Sequence, residues 1–259
     1  MPPPLPISSL AVSAAHPDLL PRALQLAGEL SLPWIADPAD PSFPLLLVCT
    51  AERLELRQTG KGAEGPLWVD FASGAMSFRR RHGGSRGEAI ARAVGIKAGK
   101  RPFVLDLTAG LGRDGFILAG LGCTVQLVEQ SAAVAALLAD GLERAHQDHA
   151  LAGIISRLSL LRADSLEALR HWQGDPPEVI YIDPMYPHRK KSALVKKEMR
   201  LLRLLVGDDQ NGDQLLAASL VVASNRVVVK RPRLAESLAG PEPSFAVGGK
   251  NSRFDVYLP

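Results

Sequence analysis

The run Val179–Ile182 is apolar and ends on a carboxylate, Asp183. A Pro184-Met185-Tyr186-Pro187 turn follows, and then a basic loop, His188-Arg189-Lys190-Lys191. A hydrogen-bond acceptor, an aromatic plane and positive charge therefore fall together at one strand end. A protein needs those parts to hold a nucleobase and the phosphates around it. An exocyclic amine on a purine is a poor nucleophile, because its lone pair is delocalised into the ring. A site can help by accepting hydrogen bonds from the N–H groups and turning the nitrogen toward a methyl donor. Asp183 can do that, with the Pro184 carbonyl as second acceptor, while the Tyr186 ring stacks on the extruded base. Most of the acceleration would come from in-line positioning rather than from a strong base. Asp-Pro also opens ordinary turns, so this reading depends on what surrounds it.

A second stretch, Val104-Leu105-Asp106-Leu107-Thr108-Ala109-Gly110-Leu111-Gly112-Arg113-Asp114-Gly115, reads as a strand, a glycine turn and a helix start. Gly110, Gly112 and Gly115 satisfy GxGxxG, which alone is a weak signal and in this setting suggests a nucleotide-type site at a sheet edge. A dinucleotide would rest its pyrophosphate on the helix N-terminus, where Asp114 would repel it. S-adenosylmethionine carries no phosphate, but has a sulfonium and an amino group beside a carboxylate. Acidic groups near the loop suit the amino group, and Arg113 suits the carboxylate. Glu129, ending the next strand, is placed for two ribose hydroxyls. Asp164 or Ser165 follows the third strand, where either could bond the adenine amine. Taken singly, Asp106 and Asp164 would serve as helix caps and Glu129 as a solvated strand end. Four acids at successive strand ends of one sheet converge on one crevice. An NAD(P)-dependent oxidoreductase remains the enzymatic alternative. A non-catalytic RNA-binding module on the same fold is the alternative of another class.

The residues after the base loop are basic. From Tyr186 to Arg203 there are seven Lys/Arg against one acid, Glu198, a net of +6. Val195, Met199, Leu202 and Val206 follow helical spacing and are expected to face the core, with Lys196, Arg200 and Arg203 opposite. The candidate phosphate contacts are Arg79, Arg80, Arg81, Arg86, His188, Arg189, Lys190, Lys191, Lys196, Lys197, Arg200, Lys230 and Arg231. Such contacts position RNA without reading its sequence. His146 and His149 lack a third ligand, so no metal is expected.

The elements that must position these residues alternate. Residues 1 to about 85 are proline-rich with short β-like runs (Leu45–Cys49, Leu54–Arg57, Leu67–Phe71), which suggests a small N-terminal α+β domain over residues 1–85. From residue 86 to 259 strands and helices alternate: a parallel sheet with helices on both faces, closed by a hairpin of Phe245–Val247 and Phe254–Leu258. The chain has 259 residues, 46% of them hydrophobic, and a formal charge of +3. That is ample for a sizeable core. Cys49 and Cys123 have no metal or disulfide spacing and point to a reducing compartment. No secretory signal and no bilayer-length apolar run is found, so a soluble, cytoplasmic protein with no membrane partner is expected.

These motifs together resemble the bacterial small-subunit ribosomal RNA methyltransferase J family. The likeness is carried by VLDLTAGLGRDG, the VEQ strand end, RADSL, IDPMYPHRKKSALVKKEMR, RVVVKRP, GKNSRFDVY and the earlier FRRRHGGSRGEAIARAVGIK. It covers nearly all of residues 76–259, and is looser over the first 75. It implies a Rossmann-like α/β fold, the seven-stranded S-adenosylmethionine-dependent methyltransferase fold, with a small N-terminal β-containing domain. It implies methylation of a guanine N2 in 16S rRNA, with 16S rRNA or the small ribosomal subunit as partner. By resemblance, the cofactor contacts are Arg113, Asp114, Glu129, Gln130, Asp164, Ser165 and Asp183. Amino-methylating enzymes often have Pro-Pro after the acid; here the second position is Met185.

Overall fold

The structure, a computed structural model, describes residues 9–72, 84–185, 197–207, 211–249 and 252–259. Tyr186, Arg79, Arg80, Arg81, His188, Arg189, Lys190, Lys191 and Lys196 lie outside the described residues. The chain forms two compact units.

The first unit takes Met1–Asp70, Ser131–Arg144 and Tyr186–Asp208. Its sheet has the order β1 (Leu10–Ala14), β2 (Leu45–Cys49), β3 (Leu54–Gln58). β1 runs parallel to β2 and β3 antiparallel to it. A parallel pair needs a crossover, and the helix α1 (Leu20–Leu30) lies between β1 and β2 in the chain. β1 and α1 were not legible in the sequence: LAVSA is short, and α1 buries only Ala23 and Ala27. Leu67–Phe71, expected as a strand, makes one bridge, Leu67 to Leu56.

The second unit takes Phe71–Gln130, Ala145–Met185 and Asp209–Pro259. It opens with the helix α2 (Gly84–Ala93) and holds a seven-stranded sheet. Its strands are β4 (Val104–Asp106), β5 (Val125–Glu129), β6 (Leu158–Arg162), β7 (Val179–Ile182), β8 (Arg226–Pro232), β9 (Phe245–Gly248) and β10 (Ser252–Tyr257); in the chain, the helices α4 (Ala132–His146) and α5 (Ala152–Ile155) fall between β5 and β6. The order is β6-β5-β4-β7-β8-β10-β9. The first five strands in that order are mutually parallel; β10 is antiparallel to both β8 and β9. The sheet is therefore the seven-stranded one expected, with its closing hairpin.

The central strands are apolar throughout because helices cover both sheet faces. One face carries Leu105, Leu107, Ile180, Ile182, Val227 and Val229 at alternate positions. They pack with Leu169 of α6 (Ser165–Arg170) and with Leu215 and Leu216 of α8 (Gly212–Val222). The chain leaves β4 toward β5 on one side and returns as β7 on the other. That reversal opens a crevice at the carboxyl ends of β4 and β7.

Candidate active site

The glycine loop joins β4 to α3 (Arg113–Gly120). Gly110 and Gly112 take φ of 53° and 70°, a left-handed conformation that side-chain-bearing residues adopt only at a cost. Gly112 N–H closes the turn onto the Ala109 carbonyl at 2.8 Å. Gly115 is required for a different reason. A Cβ there would lie 2.4 Å from Leu127 Cδ2, so a side chain at this position would force Leu127 or α3 to shift.

Neighbouring strands pin the loop. From β5, the Val128 carbonyl accepts from Ala109 N–H at 3.1 Å, and Glu129 Oε2 accepts from Gly110 N–H at 2.9 Å. From β7, the Tyr181 carbonyl accepts from Leu107 N–H, and Asp183 N–H donates to Thr108 Oγ at 2.6 Å. The strand-end acids 164, 129, 106 and 183 thus follow four adjacent strands, β6-β5-β4-β7, as their spacing suggested.

Asp106 differs from expectation. It is 2% exposed, with Oδ1 accepting from Thr108 N–H at 3.1 Å. Burial pushes its carboxyl up to about 8; the Thr108 N–H opposes this and the nearby Asp114 and Asp183 carboxylates add to it. Its burial under the loop favours the protonated, neutral form over a counter-charge for an amine.

At the crevice, Lys230 of β8 joins two carboxylates. Its Nζ lies 2.5 Å from Asp114 Oδ2 and 2.5 Å from Asp183 Oδ2. The Tyr181 hydroxyl donates to the same Asp114 oxygen at 2.8 Å. Burial works against the charge on Lys230, but Asp183 and Asp114 outweigh it and raise its pKa above that of an ordinary lysine. Burial raises the Tyr181 phenol strongly, and the Asp114, Asp183 and Asp106 carboxylates raise it further. Pro184 is buried, while Asp183 is half-buried.

Comparison with known proteins decides what this crevice belongs to. Residues 31–259 match the family described as "Putative SAM-dependent methyltransferase". Ribosomal RNA small subunit methyltransferase J of Pseudomonas fluorescens (strain Pf-5) is 51% identical over 248 residues, 96% of this chain and 94% of that one. The protein of the same name from Dechloromonas aromatica is 52% identical over 235 residues, 91% and 94% of the two chains. The chain belongs to the ribosomal RNA small subunit methyltransferase J family. A crystal structure of a SAM-dependent methyltransferase from Neisseria gonorrhoeae has the same fold, with a TM-score of 0.74 at 38% identity and 96% of each chain covered. The likeness therefore extends through most of the N-terminal segment, further than its motifs suggested. As a member of this family the chain is an S-adenosylmethionine-dependent methyltransferase. The oxidoreductase and the non-catalytic readings of the same motifs are set aside.

The residues present fit that cofactor. The loop tip is bare at Gly110 and Gly112, and beside it stands a buried carboxylate, Glu129, an acceptor suited to hydroxyl groups. Half-buried Arg113 and exposed Gln130 stand at the neighbouring positions. Two of the other expected contacts also carry structural duties. Asp164 caps α6, its Oδ1 accepting from Glu167 N–H at 3.0 Å. Ser165 is buried and donates its hydroxyl to the Leu107 carbonyl at 2.6 Å, which ties α6 to the end of β4.

Two expected phosphate contacts need correction. Lys230 is the internal cation just described. Arg231 is 3% exposed and donates to the Glu236 carbonyl, so its guanidinium is not on a surface that RNA would meet. Arg200, on α7 (Lys197–Val206), is exposed and paired to Glu64 at 2.5 Å. Among the described side chains of that helix Leu201 and Leu202 are buried, whereas Val206 is only half-buried; the side chain of Met199 is not among those described. The side chains of Arg86 in α2 and Lys197 in α7 are not among those described. Among the described residues, no group of three His, Cys, Asp or Glu is arranged to hold a metal ion, and no helix is long and apolar enough to cross a membrane.

Sequence reasoning missed Tyr181, Thr108 and the placement of Lys230. The signal for Lys230 was present: a lysine following three valines in a central strand, where flanking positions are buried.

Proposed function

We propose that this chain methylates the exocyclic N2 of a guanosine in 16S rRNA, in the cytoplasm, on free RNA or on the small ribosomal subunit. The observation that carries this reading is Asp183. Its half-buried carboxylate stands at the end of β7, beside the glycine loop of β4, and its backbone is held by Thr108.

Gly110, Gly112, Arg113, Asp114, Glu129 and Gln130 would hold S-adenosylmethionine, with Glu129 accepting from the ribose hydroxyls. Bound there, the cofactor supplies an electrophilic methyl group. Asp183 and the Pro184 carbonyl accept hydrogen bonds from the guanine amine and orient its nitrogen. The amine gains one methyl and gives up one proton, which leaves to solvent. Tyr186 stacks on the base. Arg79, Arg80, Arg81, Arg86, His188, Arg189, Lys190, Lys191, Lys196, Lys197 and Arg200 grip the phosphates. The share of the relatives' names that refers to the small-subunit rRNA supports the choice of substrate.

The test is transfer of tritiated methyl from S-adenosylmethionine to small subunits, and to free 16S rRNA, from cells lacking the modification. The product is digested and the labelled nucleoside identified. Label in N2-methylguanosine is expected. Asp183→Ala should lower kcat roughly 100-fold or more while S-adenosylhomocysteine still binds. Label in another nucleoside, or wild-type rates in Asp183→Ala, would overturn the assignment.

A further inference from the structure

Lys230 looked like part of an RNA-binding cluster and lies instead inside the crevice. Within β8, Val227 and Val229 pack into the core, and Lys230 follows on the opposite alternation. Its side chain is 15% exposed. Three carboxylates face it from two strands and a helix: Asp183 beyond the end of β7, Asp106 at the end of β4 and Asp114 in the first turn of α3. The Tyr181 phenol completes the group.

One ammonium therefore connects the helix after the glycine loop to the carboxylate of the base loop. Thr108 holds the backbone of Asp183, and the terminal torsion of an aspartate is intrinsically broad. The charge-assisted bond from Lys230 to Oδ2 narrows that range. It also offsets the repulsion between Asp114 and Asp183, which would otherwise drive the two acids apart.

We propose that Lys230 is a positioning residue for methyl transfer, fixing the Asp183 carboxylate in the rotation that meets the substrate amine and locking it in register with Asp114. This rests on the role given to Asp183 above. It also differs from a phosphate contact in what each predicts. A phosphate contact adds affinity for RNA and a salt dependence, whereas a positioning residue adds turnover.

The experiment compares wild type, Lys230→Met and Lys230→Arg on small subunits lacking the modification, by steady-state methyl transfer at several salt concentrations. Lys230→Met is expected to lower kcat about 30-fold, with KM for the subunit within about 3-fold. The salt slope of kcat/KM should be unchanged. Lys230→Arg keeps the charge but displaces the donors, so it is expected to recover part of the loss and remain about 5-fold below wild type in kcat. Binding of S-adenosylhomocysteine, followed by calorimetry, reports whether each variant is folded. A raised KM with unchanged kcat, and a salt slope smaller by about one, would identify a phosphate contact and overturn the proposal. If Lys230→Met does not fold, the arginine variant decides: wild-type kcat and KM there would equally overturn it. If the wild-type chain itself methylates neither substrate, the functional reading fails and this inference falls with it.

Discussion

Replacing Asp106 by Asn tests the electrostatics under the glycine loop most directly. The carboxyl is 2% exposed and raised from 3.8 to about 8, chiefly by burial. Between those two values the folded chain holds a proton that the unfolded chain has released. Stability therefore falls as pH rises through that window and levels off above about 8. The slope for one such proton is at most about 1.4 kcal/mol per pH unit. Asn has nearly the same volume, keeps an oxygen to accept from Thr108 N–H, and has no proton to hold. The stability of Asp106→Asn relative to wild type should therefore grow with pH, by up to roughly 3 kcal/mol between pH 5 and pH 7. Urea unfolding of both chains without cofactor, at half-unit steps from pH 4 to 9, measures this. The difference should be smallest near pH 4 and constant above about 8. A difference that stays flat from pH 5 to 8 would show that Asp106 is ionised in the fold, and would refute the reasoning.

Two further outcomes follow from the loop. Gly115→Ala puts a methyl 2.4 Å from Leu127 Cδ2, and Leu127 is fully buried. The overpacking should cost roughly 1–3 kcal/mol in urea unfolding; an unchanged midpoint would mean that α3 can shift without cost. Glu129→Ala removes the acceptor of Gly110 N–H and the proposed ribose contact, and should weaken S-adenosylhomocysteine binding by about 10-fold or more. Titration calorimetry without RNA measures it, and an unchanged Kd would take Glu129 out of the cofactor site.

Much of the fold was legible because its signals are local. The strands β4, β5, β7 and β8 are short apolar runs, and GxGxxG between a strand and a helix indicates a βα turn. Each acid directly after a strand then lies at one sheet edge by topology alone. The first unit was less legible: the proline-rich start obscures β1, and α1 buries too narrow an apolar stripe to stand out. Leu67–Phe71 alternates like a strand, yet among the described residues only Leu67 finds a partner strand.

The site divides in the same way. Asp183 and Glu129 stand where the sequence placed them because a residue's position along a strand decides which end it occupies. Burial and partners come from residues far apart in the chain. Asp106 looked like a charge in the loop and is buried beneath it, where the neutral form is favoured. Ser165 looked like a ligand contact and binds the Leu107 carbonyl. Asp164 caps its own helix. Lys230 and Arg231 looked like a basic surface and are turned inward. The sequence by itself determined the sheet, its glycine turn and the family, because periodicity and motif are properties of consecutive residues. Only the tertiary structure decided which charges meet. Lys230 reaches Asp114 and Asp183 across separations of 116 and 47 residues, and the strand order that sets β8 beside β7, and β7 beside β4, is what makes that possible.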